Sequence, residues 1–160
     1  MARILIVGGG CRGRRLASAN VAAGHAVRIS TRTEAGREAI EATGAECWIG
    51  TPDRLATLRG ALDSVTILCW LLGSAAGAAQ QLRELHSSRL QFFLTQAIDT
   101  TVRGFVYEAR GAQQELLSEG GEIARALAER NAIPARFLTA DPNDGEAWLA
   151  DAGASIQSLL

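Results

Sequence analysis

The sequence predicts an α/β fold, a three-layer, doubly wound parallel sheet of about six strands, and three observations predict it. Strand-like apolar runs recur along the 160 residues with helix-compatible segments between most of them. One run, Val65-Thr66-Ile67-Leu68-Cys69-Trp70-Leu71-Leu72, is apolar almost throughout, as a strand covered on both faces must be. Another, Ile4-Leu5-Ile6-Val7, ends in Gly8-Gly9-Gly10-Cys11-Arg12-Gly13 and passes at once into a helix-compatible stretch. A single domain over residues 1–160 accommodates the pattern, since 48% hydrophobic residues can build a sizeable core without disulfides.

Taken in order, the first strand spans Arg3 to Val7, and a helix over Arg14 to Ala23 stops at Gly24-His25. A second strand, Ala26 to Ser30, completes a right-handed βαβ unit. A polar helix over Glu34 to Ala42 ends near Gly44 and leads into a strand over Glu46 to Ile49, followed after Pro52 by a short helix through Arg54 to Gly60. Asp63 precedes the Val65 to Leu72 run, the best candidate for a central strand, and Ser74 is placed to cap a helix whose body is Ala75 to Leu85. The next expectations are a strand over Leu90 to Leu94 and a helix over Asp99 to Arg110 broken at Gly111. A helix through Ala124 to Arg130, capped by Ser118 or Glu119, and a strand over Ala135 to Leu138 follow. Asp141-Pro142-Asn143-Asp144-Gly145 is a turn cluster, and Ala147, Trp148, Ala154, Ile156 and Leu159 suggest a closing amphipathic helix broken by Gly153.

Composition removes whole classes of function. The formal charge is -1 and no stretch forms a basic arm, so nucleic acid is not an expected partner. All 16 basic residues are arginine, which rules out any step needing an amine, whether a Schiff base or a lysine that lowers a tyrosine pKa. Cys11, Cys47 and Cys69 are odd in number and lack metal-site or redox-motif spacing, which suits a reducing cytoplasm. The apolar start is too short for a signal-peptide core or a membrane span of about 20 residues, so it reads as the first strand and no membrane is expected.

The glycine loop carries the chemistry. Gly8 permits a tight turn, Gly10 leaves room for backbone to approach a pyrophosphate, and Gly13 lets the helix pack close to the sheet. The free amides and the helix dipole supply the attraction to phosphate, so a dinucleotide on a Rossmann-like fold is the expectation, a tight structural turn the alternative. The second strand runs out through Thr31-Arg32, where an NAD site offers a carboxylate and an NADP site offers Arg and small hydroxyls, so Thr31 and Arg32 favour NADP with NAD still possible. Glu34 complicates the choice: it either accepts from a ribose hydroxyl or begins a helix. Cys11 is either a thiol activated by the helix start or, more blandly, a compact loop side chain, and Arg12 either flanks the pyrophosphate or faces solvent.

Beyond the cofactor, Trp70, Leu71, Gly73 and Ser74 are placed to line the crevice past the strand ends, with Trp70 either covering an adenine or nicotinamide ring or packing in the core. On a helix over 99–110, Arg103, Tyr107 and Arg110 share one side, where they bind an anionic substrate or pair with Asp99 and Glu108. No catalytic residue is assigned; Tyr107 is the one candidate for proton transfer, against a binding or structural role. His25 and His86 suit capping and surface positions better than acid/base work. Asp141, Asp144 and Asp151 lack calcium-loop spacing and read as turn and helix-start residues, so no metal is expected.

On Ile4-Leu5-Ile6-Val7-Gly8-Gly9-Gly10-Cys11-Arg12-Gly13 and Gly24-His25-Ala26-Val27-Arg28-Ile29-Ser30-Thr31-Arg32 the chain resembles the NAD(P)-binding core of the atypical or extended short-chain dehydrogenase/reductase family, including its NmrA-like members. The resemblance implies dinucleotide contacts at Gly8, Gly10, Cys11, Arg12 and Gly13, and 2′-phosphate contacts at Thr31 and Arg32. Active members of the family place a Tyr four residues before a Lys; Tyr107 is followed at that spacing by Gly111, and the chain has no lysine. The resemblance therefore implies a small NADP-binding protein, a cofactor sensor or weak oxidoreductase. An NADPH-dependent reductase of a small carbonyl compound, with Tyr107 or a water as proton donor, is one alternative. A non-enzymatic dimer with contacts at Phe92-Phe93 and Trp148 is the other.

Overall fold

The computed structural model describes residues 1–160 and contains six parallel strands in the order β3-β2-β1-β4-β5-β6. The strands are β1 (Arg3–Gly8), β2 (Ala26–Thr31), β3 (Glu46–Ile49), β4 (Ile67–Leu71), β5 (Gly104–Glu108) and β6 (Ala135–Leu138). The helices are α1 (Gly10–Ala22), α2 (Arg37–Glu41), α3 (Ala79–Leu85), α4 (Ser88–Ile98), α5 (Gln114–Arg130) and α6 (Gly145–Gln157), with short 3₁₀ turns at Glu34–Gly36, Leu55–Thr57 and Arg59–Leu62. The expected three-layer α/β fold with about six parallel strands is the fold observed.

Alternating strand residues divide the core into two layers, because successive side chains leave a strand on opposite faces. Leu5, Val7, Leu68, Trp70, Phe105 and Tyr107 face Leu90, Phe93 and Leu94 of α4 and Leu117, Ala124 and Leu127 of α5. Ile4, Ile6, Ile67, Cys69, Leu71 and Val106 face Leu16 and Ala17 of α1 and Trp148, Ala152 and Ile156 of α6. All five residues of β4 are buried, which is why the Val65 to Leu72 run shows no polar alternation. No helix is long and apolar enough to cross a membrane.

Two elements in the second half reverse the expectation. Leu90 to Leu94 lies within helix α4: Leu90, Phe93, Leu94 and Ala97 recur at helical spacing and are buried, while Gln91, Phe92 and Thr95 are exposed. The segment 99–110 is the last turn after α4 followed by strand β5, whose Phe105-Val106-Tyr107 is buried on both faces. The polar residues at its ends mimicked helical pairs, yet Phe, Val and Tyr in succession fit a pleated buried surface.

Other helix limits also differ, beginning with α1, which starts at Gly10, four residues before the expected Arg14. The helix after β4 begins only at Ala79 with Ala78 at its cap position, so Ser74 caps nothing. The helix before β6 begins at Gln114, placing Ser118 and Glu119 inside it, and α6 runs unbroken through Gly153 behind an Asp144 cap. Gly120 is needed within α5, because a Cβ there would meet the Tyr107 hydroxyl and lie 2.9 Å from the His86 carbonyl oxygen.

Candidate functional site

The sheet order reverses direction between β1 and β4, so the loops leaving those two strands part and open a crevice at their carboxyl ends. The β1–α1 loop is shaped for that position. Gly8, Gly9 and Gly10 have φ of 87°, 89° and 54°, a left-handed run that side chains resist. A Cβ on Gly8 would lie 2.5 Å from the Leu71 carbonyl oxygen, and one on Gly13 would lie 2.9 Å from the Gly8 carbonyl oxygen, so the turn and the helix both press on strand backbone. A Cβ on Gly10 would meet nothing within 4 Å: this glycine faces open space.

That space is a cleft of about 440 Å³ whose walls include the Gly8 to Arg12 loop, Leu71, Leu72, Ser74 and Arg32. Helix α1 points its amino end here with no side-chain cap and no acidic residue in its first turn. Its leading amides and partial positive charge are thus without an internal anion. Cys11 is exposed on the wall, its Sγ accepting from the Arg14 guanidinium at 3.1 Å.

Arg12 neither faces solvent nor reaches into the cleft alone; it ties three loops together. Its guanidinium donates to the Pro142 carbonyl at 2.6 Å and to Ser74 Oγ at 2.7 Å, and it stands over the Trp148 ring. Beneath it lies Glu108, a residue only 1% exposed, which accepts from the Gly73 N–H and the Trp148 Nε1–H, each at 2.7 Å, and sits 3.9 Å from Arg12. A buried carboxylate with two donors and a guanidinium nearby is a satisfied hub rather than a stranded charge. Arg12 and Ser74 also border a second cleft of about 490 Å³ beyond β4 and β6, with Gly73, Gln113, Pro142 and Asn143.

Arg32 extends from the end of β2 into the first cleft and pairs with Asp53, which also pairs with Arg89. Thr31, still in β2, backs onto Gly36. Glu34 is turned away onto Arg37, at 2.7 Å and 3.0 Å, and that contact holds its carboxyl below the usual range.

Several sequence expectations do not meet at this site. Trp70 is fully buried against Phe93, so it covers no ligand ring. Gly73 borders the second cleft, but its amide is already engaged by Glu108. Tyr107 is fully buried, and Arg103 and Arg110 flank opposite ends of β5, so the three share no face. The Tyr107 hydroxyl lies 2.8 Å from Nδ1 of His86, which is itself 3% exposed rather than a surface cap. Burial, then the Glu108 charge, pushes the Tyr107 phenol well above its usual value, while burial holds His86 below its own. His25 Nδ1 accepts from the Ala2 amide. Asp144 caps α6, Asp151 accepts from the Thr139 and Ala140 amides, and Asp141 accepts from Asn143. Phe93 and Trp148 are core residues, which leaves Phe92 as the exposed member of the expected dimer contacts.

Sequence reasoning missed Glu108 as a hub and Asp53, Arg89 and Asn143 as neighbours of the clefts. The one available signal was a carboxylate closing an apolar Phe105-Val106-Tyr107 run, a place where an acid needs internal partners.

No known family model matches the sequence, and no curated protein does. Among solved structures, BdcA (YjgI) from E. coli superposes with a TM-score of 0.74 at 15% identity, covering 97% of this chain and 93% of that one. A short-chain dehydrogenase/reductase superfamily protein from Agrobacterium tumefaciens with bound NAD gives 0.66 at 20% identity over 84% of this chain and 48% of that one. The Citrobacter sp. triphenylmethane reductase complexed with NADP(H) gives 0.63 at 18% identity, again over 84% and 48%. The chain also spans about half the length of gox2253 and of alfalfa vestitone reductase, at 50% and 56%. At such identities the likeness is one of architecture: the chain has the Rossmann-like fold that short-chain dehydrogenase/reductase structures share.

Proposed function

We propose that the chain binds a dinucleotide at the switch point, with NADP(H) favoured over NAD(H), and acts as a cofactor sensor or a weak oxidoreductase. The observation that carries this reading is the uncapped amino end of α1 behind a Gly10 whose Cβ direction is empty, opening on a cleft of about 440 Å³. An anion is the natural occupant of such an opening. The amides of Gly10, Cys11 and Arg12 would hold the pyrophosphate, with Gly8 making the turn and Gly13, whose own amide donates to the Gly9 carbonyl at 2.9 Å, bringing the helix close to the strand; Thr31 and Arg32 would take the adenosine side. Arg32 with no carboxylate at the end of β2, and Glu34 committed to Arg37, supports the 2′-phosphate-bearing form. The structural precedents include one protein with bound NAD and one with NADP(H).

When bound, the nicotinamide supplies hydride chemistry. The chain's own contribution is to orient the cofactor through the glycine loop and to border the second cleft with Arg12, Ser74, Gln113 and Asn143. That cleft favours, as a second reading, reduction of a small carbonyl substrate, but Tyr107 is too deeply buried to deliver its proton, and the chain has no lysine. A water or the Ser74 hydroxyl is then the available donor. Calorimetry with NADP(H) and NAD(H) tests the proposal: binding, tighter for the phosphorylated pair, is expected, and no binding of any of the four removes it. Arg32→Glu is expected to weaken NADPH much more than NADH; equal losses would show that Arg32 does not read the extra phosphate.

A further inference from the structure

Arg32 is occupied. Its guanidinium is paired with Oδ2 of Asp53, whose Oδ1 accepts from Arg89 at 3.0 Å, and Arg89 in turn donates to Glu84 at 3.0 Å. The row runs from the end of β2, through the turn after β3, to the first turn of α4 and the end of α3, and its charges alternate in sign. We propose that Asp53 and Arg89 set the selectivity of the cleft: Asp53 stands in for the 2′-phosphate on Arg32, and Arg89 keeps Asp53 when the phosphate displaces it. The inference rests on the dinucleotide reading and deepens it.

The geometry makes the exchange easy in one direction. The Arg32 side chain is 62% exposed, whereas those of Asp53 and Arg89 are 27% and 22% exposed, so Arg32 is the member free to leave. Asp53 is further fixed by its own amide, which donates to Thr51 Oγ1 at 3.2 Å. Arg32 borders the cleft with the glycine loop, and Asp53 and Arg89 stand behind it. A dianionic phosphate reaching Arg32 therefore breaks one exposed ion pair, worth a factor of about two to five in an equilibrium constant. The Asp53 carboxylate is not stranded, because Arg89 still neutralises it. A nucleotide without the 2′-phosphate has no reason to disturb the row. Asp53 thus lowers affinity for the phosphorylated ligand, and Arg89, which touches no ligand, raises it by weakening the hold of Asp53 on Arg32.

The test is calorimetric titration of the full chain with 2′,5′-ADP and with 5′-ADP, read as the ratio of their Kd values. Asp53→Asn, nearly isosteric, is expected to improve selectivity for 2′,5′-ADP about fivefold, and Arg89→Gln to reduce it about threefold. Adding Arg89→Gln to Asp53→Asn should change the ratio much less than Arg89→Gln does alone, because Arg89 acts through Asp53. Reduced selectivity in Asp53→Asn would overturn the proposal by making Asp53 a support for Arg32. An Arg89→Gln effect equal in both backgrounds would overturn it by placing Arg89 on the phosphate itself. If 5′-ADP binds and neither substitution moves the ratio, the exchange is wrong while the dinucleotide reading stands; if neither probe binds the unaltered chain, both fall.

Discussion

Helices α1 and α6 lie side by side on one face of the sheet, linked by Arg15 and Glu146 at 2.5 Å, and both begin at the carboxyl edge of the strands. Their amino ends are built oppositely. Helix α6 is closed by its own residues: the Asp144 carboxylate accepts from the Ala147 amide at 3.1 Å, and Glu146 stands in its first turn. Helix α1 starts on Gly9 and Gly10 with neither device. Each helix presents about half a unit of positive charge. One neutralises it internally, and the other holds it open to a cleft, and the proposed dinucleotide site rests on that contrast.

The largest effect is expected from forcing a side chain into the α1 turn. Gly8→Ala puts a Cβ 2.5 Å from the Leu71 carbonyl at φ 87°, and should cost about 3 kcal/mol in urea unfolding. Gly10→Asp instead makes α1 resemble α6. Its Cβ meets nothing, and aspartate tolerates the left-handed φ of 54°, so stability should change by less than about 1 kcal/mol. A carboxylate in the cradle should nevertheless weaken dinucleotide binding about thirtyfold by calorimetry; unchanged affinity would show that no anion sits there. Asp144→Ala is the converse, expected to lose about 1 kcal/mol of stability with dinucleotide affinity intact.

The smallest effect concerns pH and lies on the other face of the sheet. His86, paired with Tyr107, titrates below its ordinary value of about 6.5 in the folded chain because it is buried. Its contribution is therefore complete above the unfolded value, begins to be lost as pH falls below it, and is gone once the lower folded value is passed. Thermal unfolding at stepped pH from 7.5 to 5 should show Tm dropping by a few degrees, and His86→Gln should flatten that drop. An equal slope in both proteins would assign the effect to other groups.

The two halves of the chain differ in how far their sequence could be read. Strands β1, β2 and β3 fall where the apolar runs place them, as β6 does later in the chain, where Asp144 also sits in the turn cluster it was expected to build. In the second half, Leu90-Gln91-Phe92-Phe93-Leu94 carries enough apolar residues to suit either period, and only packing on β4 and β5 selects the helix. Segment 99–110 had the converse ambiguity, with polar flanks suggesting a helix around a core that pairs as β5.

At the site, the glycine loop and Arg32 were legible because local backbone freedom and local charge are properties of neighbouring residues. By themselves, the residues determined a doubly wound sheet, a glycine turn after the first strand and a chemistry without amines. Only the tertiary structure decided that Trp70 and Tyr107 are buried, that Arg12 braces three loops over Glu108, and that Asp53 stands on Arg32. Those outcomes depend on which side chains from distant strands and helices meet, and neither periodicity nor spacing encodes the neighbour that a buried or charged group acquires on folding.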